Sequence, residues 1–188
     1  MRIISGIAKG KKIYTPINKK TRPLKDMVRE SIFNIILHSN LLNAKFENCI
    51  VLDLFSGVGS FGLEAISRGV KKVIFFENYR ASVELLIKNV NTLKFNDNAI
   101  IIRKNIYKFN NFKDLKCKFN LVFLDPPFED KNIIFILKNL ADPNILNSES
   151  LIIIHRHKGT IDKFDKNFKI LREEVYGSSK IIFGFFSF

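Results

Sequence analysis

The sequence is short of cysteine and of acidic residues, and it contains no long hydrophobic segment. Its two cysteines, Cys49 and Cys117, among 188 residues are too few for a disulfide framework and lack the spacing of a metal site. Every apolar run is too short to span a bilayer, and the first residues lack the apolar core of a signal peptide. No internal repeat or low-complexity linker divides the chain. These absences predict a reduced, soluble, cytoplasmic protein with one domain.

The scarcity of acidic residues leaves a strongly basic chain. Lysine and arginine number 31 against 18 aspartate and glutamate, which gives a formal net charge of +13 and a pI near 9.8. This excess predicts a polyanionic partner, with nucleic acid the first candidate and an anionic membrane surface the second. The coding bias of an AT-rich genome is a simpler origin for part of it. The 19 phenylalanines are ample for a hydrophobic core.

From residue 49 onward, predicted strands and helices alternate. Continuous apolar runs predict strands at 49–55, 72–77, 99–103, 119–125 and 150–155, with helices at 60–68, 80–94 and 131–141. Such strands separated by helices are typical of a parallel sheet covered on both faces. Two last strands, 168–175 and 180–188, flank a turn that indicates a hairpin. The sequence therefore predicts an α/β fold like the Rossmann-like, class I methyltransferase version of the doubly wound sheet, with seven mostly parallel strands.

The N-terminal part reads differently. Short strands are predicted over 2–5 and 11–15, joined by a glycine-containing turn, and a helix is predicted over 25–39. We therefore expect a basic hairpin extension over 1–24, followed by the main domain over 25–188.

A glycine-rich loop follows the first strand of the predicted sheet. Gly57, Gly59 and Gly62 have the spacing of a dinucleotide fingerprint, and Glu77 stands at the end of the next strand, where it can accept hydrogen bonds from ribose hydroxyls. These features fit either NAD or S-adenosylmethionine. Asp53, at the strand end, would repel a pyrophosphate and attract the α-ammonium of an amino-acid cofactor. The loop therefore favours S-adenosylmethionine, although a carboxylate that bonds only to a helix N-terminus is the simpler interpretation.

The tetrad Asp125-Pro126-Pro127-Phe128 follows another apolar strand. Proline has no N–H and favours extended backbone before it, so the carbonyls here are expected to stay outside helix or ladder. A carboxylate, a main-chain carbonyl and a flat ring can together accept both N–H bonds of an aromatic amine and stack on its base. The simpler interpretation is a Pro-Pro turn that ends a strand.

The two motifs are expected to meet. In a doubly wound sheet the first and fourth strands flank the switch point, and ligands bind at their carboxyl ends. The cofactor's methyl group would then lie near the tetrad, with Asp125 and the Pro126 carbonyl orienting the amine nitrogen and Phe128 stacking on the base. The predicted reaction is methyl transfer to an exocyclic amine, without a metal.

Six segments carry a resemblance to the RsmD family, bacterial methyltransferases that act on a guanine N2 amine in 16S ribosomal RNA. They are Met1–Gly6 with Lys9–Lys12, Thr21-Arg22-Pro23, Val28–Ile35, Leu52–Gly57 with Leu63–Gly69, Phe123–Phe128, and Tyr176-Gly177. The chain departs from the pattern at Arg103-Lys104-Asn105-Ile106, where such methyltransferases often carry an acid, and in the basic segment Ile154–His157. Asn105 can still accept a hydrogen bond from the adenine amine through its carbonyl.

The resemblance and the motifs together give the candidate site residues. The catalytic candidates are Asp125, Pro126, Pro127 and Phe128, and the cofactor candidates are Asp53, Phe55, Ser56, Gly57, Gly59, Gly62, Glu77, Asn78, Asn105 and Ile106. The RNA-binding candidates are Lys9, Lys11, Lys12, Arg22 and Arg29. A solvated charged face is the alternative for the lysines, and an ion pair with Asp26 or Glu30 is the alternative for Arg29.

The expected partner is 16S ribosomal RNA or the assembling small subunit, bound by a monomer. The rival functions are a DNA adenine-N6 or cytosine-N4 methyltransferase, a non-catalytic RNA-binding assembly factor and a nicotinamide oxidoreductase. His155 and His157 alternate along a predicted strand, and we expect them at the surface near the site rim rather than on a metal. The Phe-rich end of the chain, residues 183–188, is expected to be core strand.

Overall fold

One seven-stranded sheet forms the centre of the fold. A computed structural model describes residues 1–16, 24–109 and 111–188. The strands are β1 (Ile50–Leu54), β2 (Lys72–Phe76), β3 (Ala99–Ile102), β4 (Phe119–Leu124), β5 (Leu146–His157), β6 (Phe168–Tyr176) and β7 (Ser179–Phe186). Their order is β3-β2-β1-β4-β5-β7-β6. The first five strands are parallel to one another, and β7 is antiparallel to β5 and β6, which confirms the predicted fold class.

Helices cover both faces of this sheet. They are α1 (Asp26–His38), α2 (Ser60–Ser67), α3 (Arg80–Leu93) and α4 (Ile133–Leu140), with short 3₁₀ helices at Phe46–Asn48, Ile106–Lys108 and Phe112–Leu115. One hydrophobic cluster contains residues of α1, α2 and α3, and a second contains residues of α4 and the last two 3₁₀ helices. No helix of the described residues is both long and apolar enough to cross a membrane.

Side-chain alternation along β1 decides which face each residue serves. Val51 belongs to the cluster under α2, whereas Leu52 and Leu54 belong to the cluster under α4. Because strand side chains alternate with period two, Asp53 shares the face of Val51 and α2. The same rule explains why the strands are apolar almost throughout, since both faces of a covered parallel sheet are buried.

Three stacked phenylalanines fix α2 against its neighbours. The ring of Phe61 in α2 lies 4.9 Å from that of Phe33 in α1 and 3.9 Å from that of Phe123 in β4, with interplanar angles of 21° and 12°. Each ring is almost fully buried, and burial of one such side chain stabilises a fold by roughly 1.5–3 kcal/mol. The start of α2, which forms part of the candidate site, is therefore held rigidly.

Strand β5 is longer than predicted. It begins at Leu146 rather than residue 150 because Phe119 pairs with Leu146, before the register with β4 shifts between Phe119 and Leu121. At the end of the chain, Phe183 and Phe186 are buried as expected, whereas Phe188 is 56% exposed.

The N-terminal hairpin is present, but it has little strand structure. Its only β-bridge within the described residues joins Arg2 to Lys12. The N–H groups of Ile4 and Ser5 instead donate to the Glu64 carboxylate in α2, at 2.7 and 3.0 Å. Because α2 takes these donors, the predicted two-stranded ladder stays short, and the hairpin is fixed on the domain.

The hairpin also contributes to the core of the domain. Ile3, Ala8 and Ile13 belong to the same hydrophobic cluster as α1, α2 and α3. A Cβ atom on Gly6 would lie only 1.8 Å from the Ser67 carbonyl oxygen, so the turn can approach α2 this closely only with glycine. Residues 17–23, and with them the end of the predicted extension, lie outside the described residues.

Candidate active site

The sheet brings the glycine loop and the tetrad to one edge. β1 and β4 are parallel neighbours, with Asp53 opposite Phe123 and Leu54 opposite Leu124. The Asp125 N–H donates to the Leu54 carbonyl at 3.3 Å, so the two loops leave the sheet side by side. This is the position that the topology predicted for a ligand site.

The three glycines of the loop have different roles. A Cβ on Gly59 would lie 2.4 Å from Leu86 Cδ1, and one on Gly62 would lie 2.3 Å from Phe75 Cε1, so these two glycines permit close packing. A Cβ on Gly57 would meet no described atom within 4 Å. Gly57, whose φ is +56°, therefore presents bare backbone to the open side, where a ligand can approach it.

Phe55 and Ser56 shape the loop before the glycines. Phe55 has a left-handed φ of +59°, which turns the chain sharply at the strand end. The Ser56 N–H donates to the Phe76 carbonyl at 3.0 Å, and its hydroxyl lies 2.7 Å from the Asp53 carbonyl oxygen. Ser56 is thus a structural tie between the ends of β1 and β2.

Asp53 is a buried carboxylate that is repelled by the charges of Asp125 and Glu77. It is 1% exposed, and its Oδ2 accepts a hydrogen bond from the Gly62 N–H at 3.0 Å. Burial raises the pKa of Asp53 well above its ordinary value, and the charges of Asp125 and Glu77 raise it further, against the lowering effect of the Gly62 bond. Three carboxylates close enough to interact make this edge of the sheet favourable for a cation.

Glu77 braces the glycine loop from the end of β2. Its Oε2 accepts from the Gly57 N–H at 2.8 Å, and its Oε1 accepts from the N–H groups of Asn78 and Tyr79, each at 2.8 Å. A carboxylate has about four acceptor positions, so Oε2 retains one for a further donor. Asn78 beside it is exposed.

The segment after β3 forms another wall of the site. Asn105 caps the 3₁₀ helix Ile106–Lys108, since its Oδ1 accepts from the Tyr107 N–H at 2.9 Å, and Ile106 is buried. Tyr107, absent from the sequence-based candidates, donates its hydroxyl to the Asp130 carboxylate and lies with its ring 5.8 Å from that of Phe55. Burial, followed by the Asp130 carboxylate, raises the pKa of Tyr107.

The tetrad forms a turn with one buried and one exposed proline. The Asp125 side chain is 22% exposed, Pro126 is buried and Pro127 is exposed. The Pro127 carbonyl accepts from the Asp130 N–H at 2.9 Å, whereas Pro126 lies two residues beyond β4 and outside its ladder. The half-buried Phe128 ring contacts the rings of His155 and His157, with centroids 5.3 and 5.5 Å away.

His155 lies beneath the tetrad, and the expectation of a surface position was wrong. It is 6% exposed, its Nδ1 lies 2.7 Å from Asp125 Oδ1, and its Nε2 lies 2.9 Å from Ser179 Oγ. Leu124 pairs with Ile154 in the parallel register, so the next residues of the two strands are Asp125 and His155. The only signal in the sequence was a histidine directly after the apolar run Leu151–Ile154. Its position beside Asp125 depends on the pairing of β4 with β5, which local sequence does not predict.

Arg156 fixes the loop behind the tetrad from the opposite face of β5. It is 1% exposed. One Nη donates to the Asp130 carbonyl at 2.6 Å, and the guanidinium pairs with the Asp162 carboxylate at 3.0 Å.

No cluster of three or more His, Cys, Asp or Glu able to hold a metal occurs in the described part of the chain.

Among the basic candidates, the described lysines and Arg29 differ in exposure. Lys9, Lys11 and Lys12 are exposed on the hairpin, as a nucleic-acid surface requires, and Arg22 lies outside the described residues. Arg29, however, is fully buried. Its Nη2 donates to the Arg2 carbonyl at 2.6 Å and pairs with Asp26 at 3.0 Å, so an RNA contact by Arg29 is corrected to a structural role, and the alternative pairing with Asp26 is confirmed.

Comparison with known proteins identifies the family of this chain. The family model described as conserved hypothetical protein 95 matches residues 1–185. Ribosomal RNA small subunit methyltransferase D of Escherichia coli K12 is 34% identical over 178 residues, which cover 94% of this chain and 85% of that protein. The solved structure of yhhF from Escherichia coli is 32% identical, covers 100% of this chain and 98% of its own, and has a TM-score of 0.82.

A more distant structure shares the fold alone. The RNA methyltransferase from Salinibacter ruber, in complex with S-adenosyl-L-homocysteine, is 14% identical and covers 88% of this chain and 94% of its own, with a TM-score of 0.65. Strand order, hairpin and neighbours define a class I methyltransferase fold. Within that class, the chain belongs to the conserved hypothetical protein 95 family, the RsmD family that its sequence resembles.

Proposed function

We propose that this protein transfers a methyl group from S-adenosylmethionine to the exocyclic N2 amine of a guanine in 16S ribosomal RNA, as naked RNA or in the assembling small subunit. The observation that carries the proposal is the position of Asp125. This partly exposed carboxylate directly follows β4, whose end lies beside β1, and its charge acts on the buried carboxylate of Asp53. We assign the Asp53 carboxylate to the cofactor and the Asp125 carboxylate to the acceptor amine. We expect the protein to act as a cytoplasmic monomer.

The residues at the end of β1 and β2 fit the cofactor. The charge of Asp53 attracts the α-ammonium group, the free acceptor position of Glu77 suits a ribose hydroxyl, and Gly57 leaves room for close approach. The Asn105 carbonyl and Ile106 supply a polar and an apolar contact for adenine. S-Adenosylmethionine supplies the methyl group, and the amine nitrogen receives it with release of S-adenosylhomocysteine.

The tetrad orients the acceptor. Asp125 accepts one N–H bond of the amine and the Pro126 carbonyl accepts the other, which turns the nitrogen lone pair toward the cofactor side. Positive charge that develops on nitrogen is stabilised by the Asp125 carboxylate, which also accepts the proton that the product amine releases. Phe128 stacks on the base, and a guanine in structured RNA must leave its stack to reach it.

The exposed lysines of the hairpin supply the electrostatic part of RNA binding. Lys9, Lys11 and Lys12 lie on a turn that is fixed to α2 by hydrogen bonds to Glu64 and Ser67. A rigid basic surface attached to the domain can set the position of a phosphate backbone relative to the site.

Tritium transfer from labelled S-adenosylmethionine tests the proposal. Small-subunit particles, naked 16S RNA and duplex DNA are compared as acceptors, and the product nucleoside is identified after digestion. We expect N2-methylguanosine from the ribosomal substrates and no label in DNA. Methylated adenine or cytosine in DNA would contradict the proposal.

Two variants test the mechanism. Asp125→Ala should abolish transfer while calorimetry shows nearly unchanged cofactor affinity, because Asp125 contacts the acceptor. Asp165→Ala, which removes an exposed carboxylate beside the α4 cluster, should transfer at the wild-type rate. An Asp125→Ala protein with normal turnover would exclude this mechanism, and a wild-type protein that binds no S-adenosylmethionine would favour an assembly factor.

A further inference from the structure

We propose that His155 is a positioning residue for the methyl-acceptor clamp, acting through Asp125. The inference rests on the proposed function, because it assigns a role to the residue that holds the catalytic carboxylate. His155 contacts Asp125, Ser179 and Phe128 at once, with Nδ1 2.7 Å from Asp125 Oδ1 and Nε2 2.9 Å from Ser179 Oγ.

The hydrogen-bond chain determines which nitrogen of the neutral imidazole carries the proton. An ionised Asp125 carboxylate can only accept, so His155 Nδ1 carries the proton and donates it to Oδ1. In the neutral ring Nε2 is then an acceptor, and the Ser179 hydroxyl donates to it. Ser179 is buried, so its hydroxyl selects the tautomer that presents an N–H to Asp125.

This contact has a direct consequence for the acceptor amine. With Oδ1 occupied by the imidazole, the other carboxylate oxygen, Oδ2, is the one that faces the amine N–H. When the N–C bond forms and the S–C bond of the cofactor breaks, the amine proton passes to Oδ2, while the Nδ1 proton stays on His155. The imidazole thus keeps the carboxylate in one orientation through the step.

The same ring also supports the stacking member of the clamp. His155 meets Phe128 at a centroid distance of 5.3 Å and an interplanar angle of 83°, a favourable edge-to-face geometry. His157 makes a similar contact with Phe128, at 5.5 Å and 63°, but the Asp125 contact belongs to His155. A substitution of His157 is therefore a matched control for a substitution of His155.

Three substitutions separate the N–H group from the bulk of the ring. His155→Leu fills the buried space without a donor, whereas His155→Asn places an amide N–H where Nδ1 lies. His157→Leu removes the Phe128 contact and the hydrogen bond that His157 Nδ1 accepts from the Gly159 N–H, and it leaves the His155–Asp125 contact in place. We expect His155→Leu to lower kcat about 10- to 100-fold, since misplacement of a reacting group by about 1 Å can cost that much. His155→Asn should recover most of this loss, and His157→Leu should stay within about threefold of wild type.

A loss in kcat without a change in KM or stability distinguishes a positioning role from a structural defect. Cofactor affinity, the KM for RNA and the melting temperature should stay close to wild type in His155→Leu, while kcat falls. Ser179→Ala should also lower kcat, because it releases Nε2 without removing the ring. This small substitution provides a second test if the leucine variant does not fold.

The activities of the Asp125 and His155 variants test the role of His155 separately from the proposed function. An inactive Asp125→Ala together with a fully active His155→Leu would overturn the role of His155 and leave the proposed function intact. An active Asp125→Ala would overturn the function itself. Equal losses in well-folded His155→Asn and His155→Leu, or a fully active Ser179→Ala beside a leucine variant that does not fold, would also overturn the positioning role.

Discussion

Arg29 in α1 and Glu64 in α2 form a buried ion pair, with Nε 3.8 Å from Oε2 and both side chains without solvent exposure. Glu64 also accepts the N–H groups of Ile4 and Ser5, and Arg29 donates to the Arg2 carbonyl. Burial is the main cause that lowers the pKa of Arg29, and the nearby Asp26 and Glu64 charges oppose it. This pair joins the basic hairpin to two helices of the domain.

Removal of the arginine should destabilise the whole protein. Arg29→Met leaves the Glu64 carboxylate buried with one cation fewer, and such a loss costs about 3–5 kcal/mol of unfolding free energy. Chemical denaturation measures it. Arg80→Met is the matched control because Arg80 pairs with Glu84 on the exposed face of α3, where ion pairs contribute little. Equal unfolding midpoints for the two variants would exclude the structural role of Arg29.

Asp53→Asn should stabilise the protein without ligand and weaken cofactor binding. The pKa of Asp53 is raised by burial, and then by Asp125 and Glu77. The unfolded carboxyl loses its proton near pH 4 and the folded one at higher pH, so the wild type loses stability as pH rises through that window. The variant's advantage in Tm should therefore be present at pH 7 and shrink toward pH 4.

Asp97→Asn, at an exposed turn position, is the control for the Asp53 substitution and should show no such pH dependence. Calorimetry with S-adenosylmethionine should show lower affinity for Asp53→Asn, because the α-ammonium loses its counter-charge. A variant with wild-type affinity would show that Asp53 serves only the Gly62 bond.

The hairpin lysines should contribute to the salt dependence of RNA binding. If Lys9, Lys11 and Lys12 each neutralise one phosphate, their joint change to glutamine should reduce the slope of log affinity against log salt concentration by about 2–3. Lys138, Lys166 and Lys169, all exposed, form the control set. Lys138 lines a cavity of about 220 Å³ between α4 and Phe168, and Lys166 and Lys169 each follow a residue of that lining. The same loss of slope in both sets would indicate nonspecific charge rather than a defined surface.

Gly57 and Gly62 should respond differently to alanine. At Gly62 the new methyl group would lie 2.3 Å from the buried Phe75 ring, and such overpacking costs about 1–3 kcal/mol of stability. At Gly57 the methyl group points into open space, and the left-handed φ of +56° costs alanine about 1–2 kcal/mol. Thermal melts and cofactor titration should show Gly62→Ala as mainly a folding defect.

Gly57→Ala should instead be mainly a binding defect, with a larger loss of cofactor affinity than of stability. Its methyl group would occupy the side of the loop that we assign to the ligand. Cofactor affinity equal to wild type in a folded Gly57→Ala protein would place the ligand elsewhere.

Local sequence pattern was sufficient to predict the strands and helices, including β1 and β4, the two strands that the candidate site follows. The run Val51–Leu54 followed by glycines, and the run Leu121–Leu124 followed by two prolines, each identify a buried strand and an abrupt end. Period-two alternation and the missing N–H of proline are properties of the residues themselves. They predicted where β1 and β4 end, and the known topology of the doubly wound fold then predicted that the two strands are neighbours.

The roles of Arg29 and His155 could not be predicted in this way. In sequence Arg29 is one cation among many at the N-terminus, and its burial depends on Glu64 in another helix. His155 is one of two alternating histidines, and what distinguishes it is the β4–β5 register that places it beside Asp125. Both outcomes depend on partners distant along the chain, for which local pattern carries no signal.

The sequence by itself determined a basic α/β protein with a glycine loop, an acid before it and the tetrad Asp125-Pro126-Pro127-Phe128 after a buried strand, because these depend on residue type and short spacing. Only the tertiary structure decided which charges lie together at the ends of β1, β2 and β4 and which form buried ion pairs. Electrostatic energy depends on distance and burial, and both are set by the packing of strands and helices. The sheet therefore brings Asp53, Asp125 and His155 close enough to interact. Arg29, in contrast, is buried in an ion pair and is not part of the basic surface.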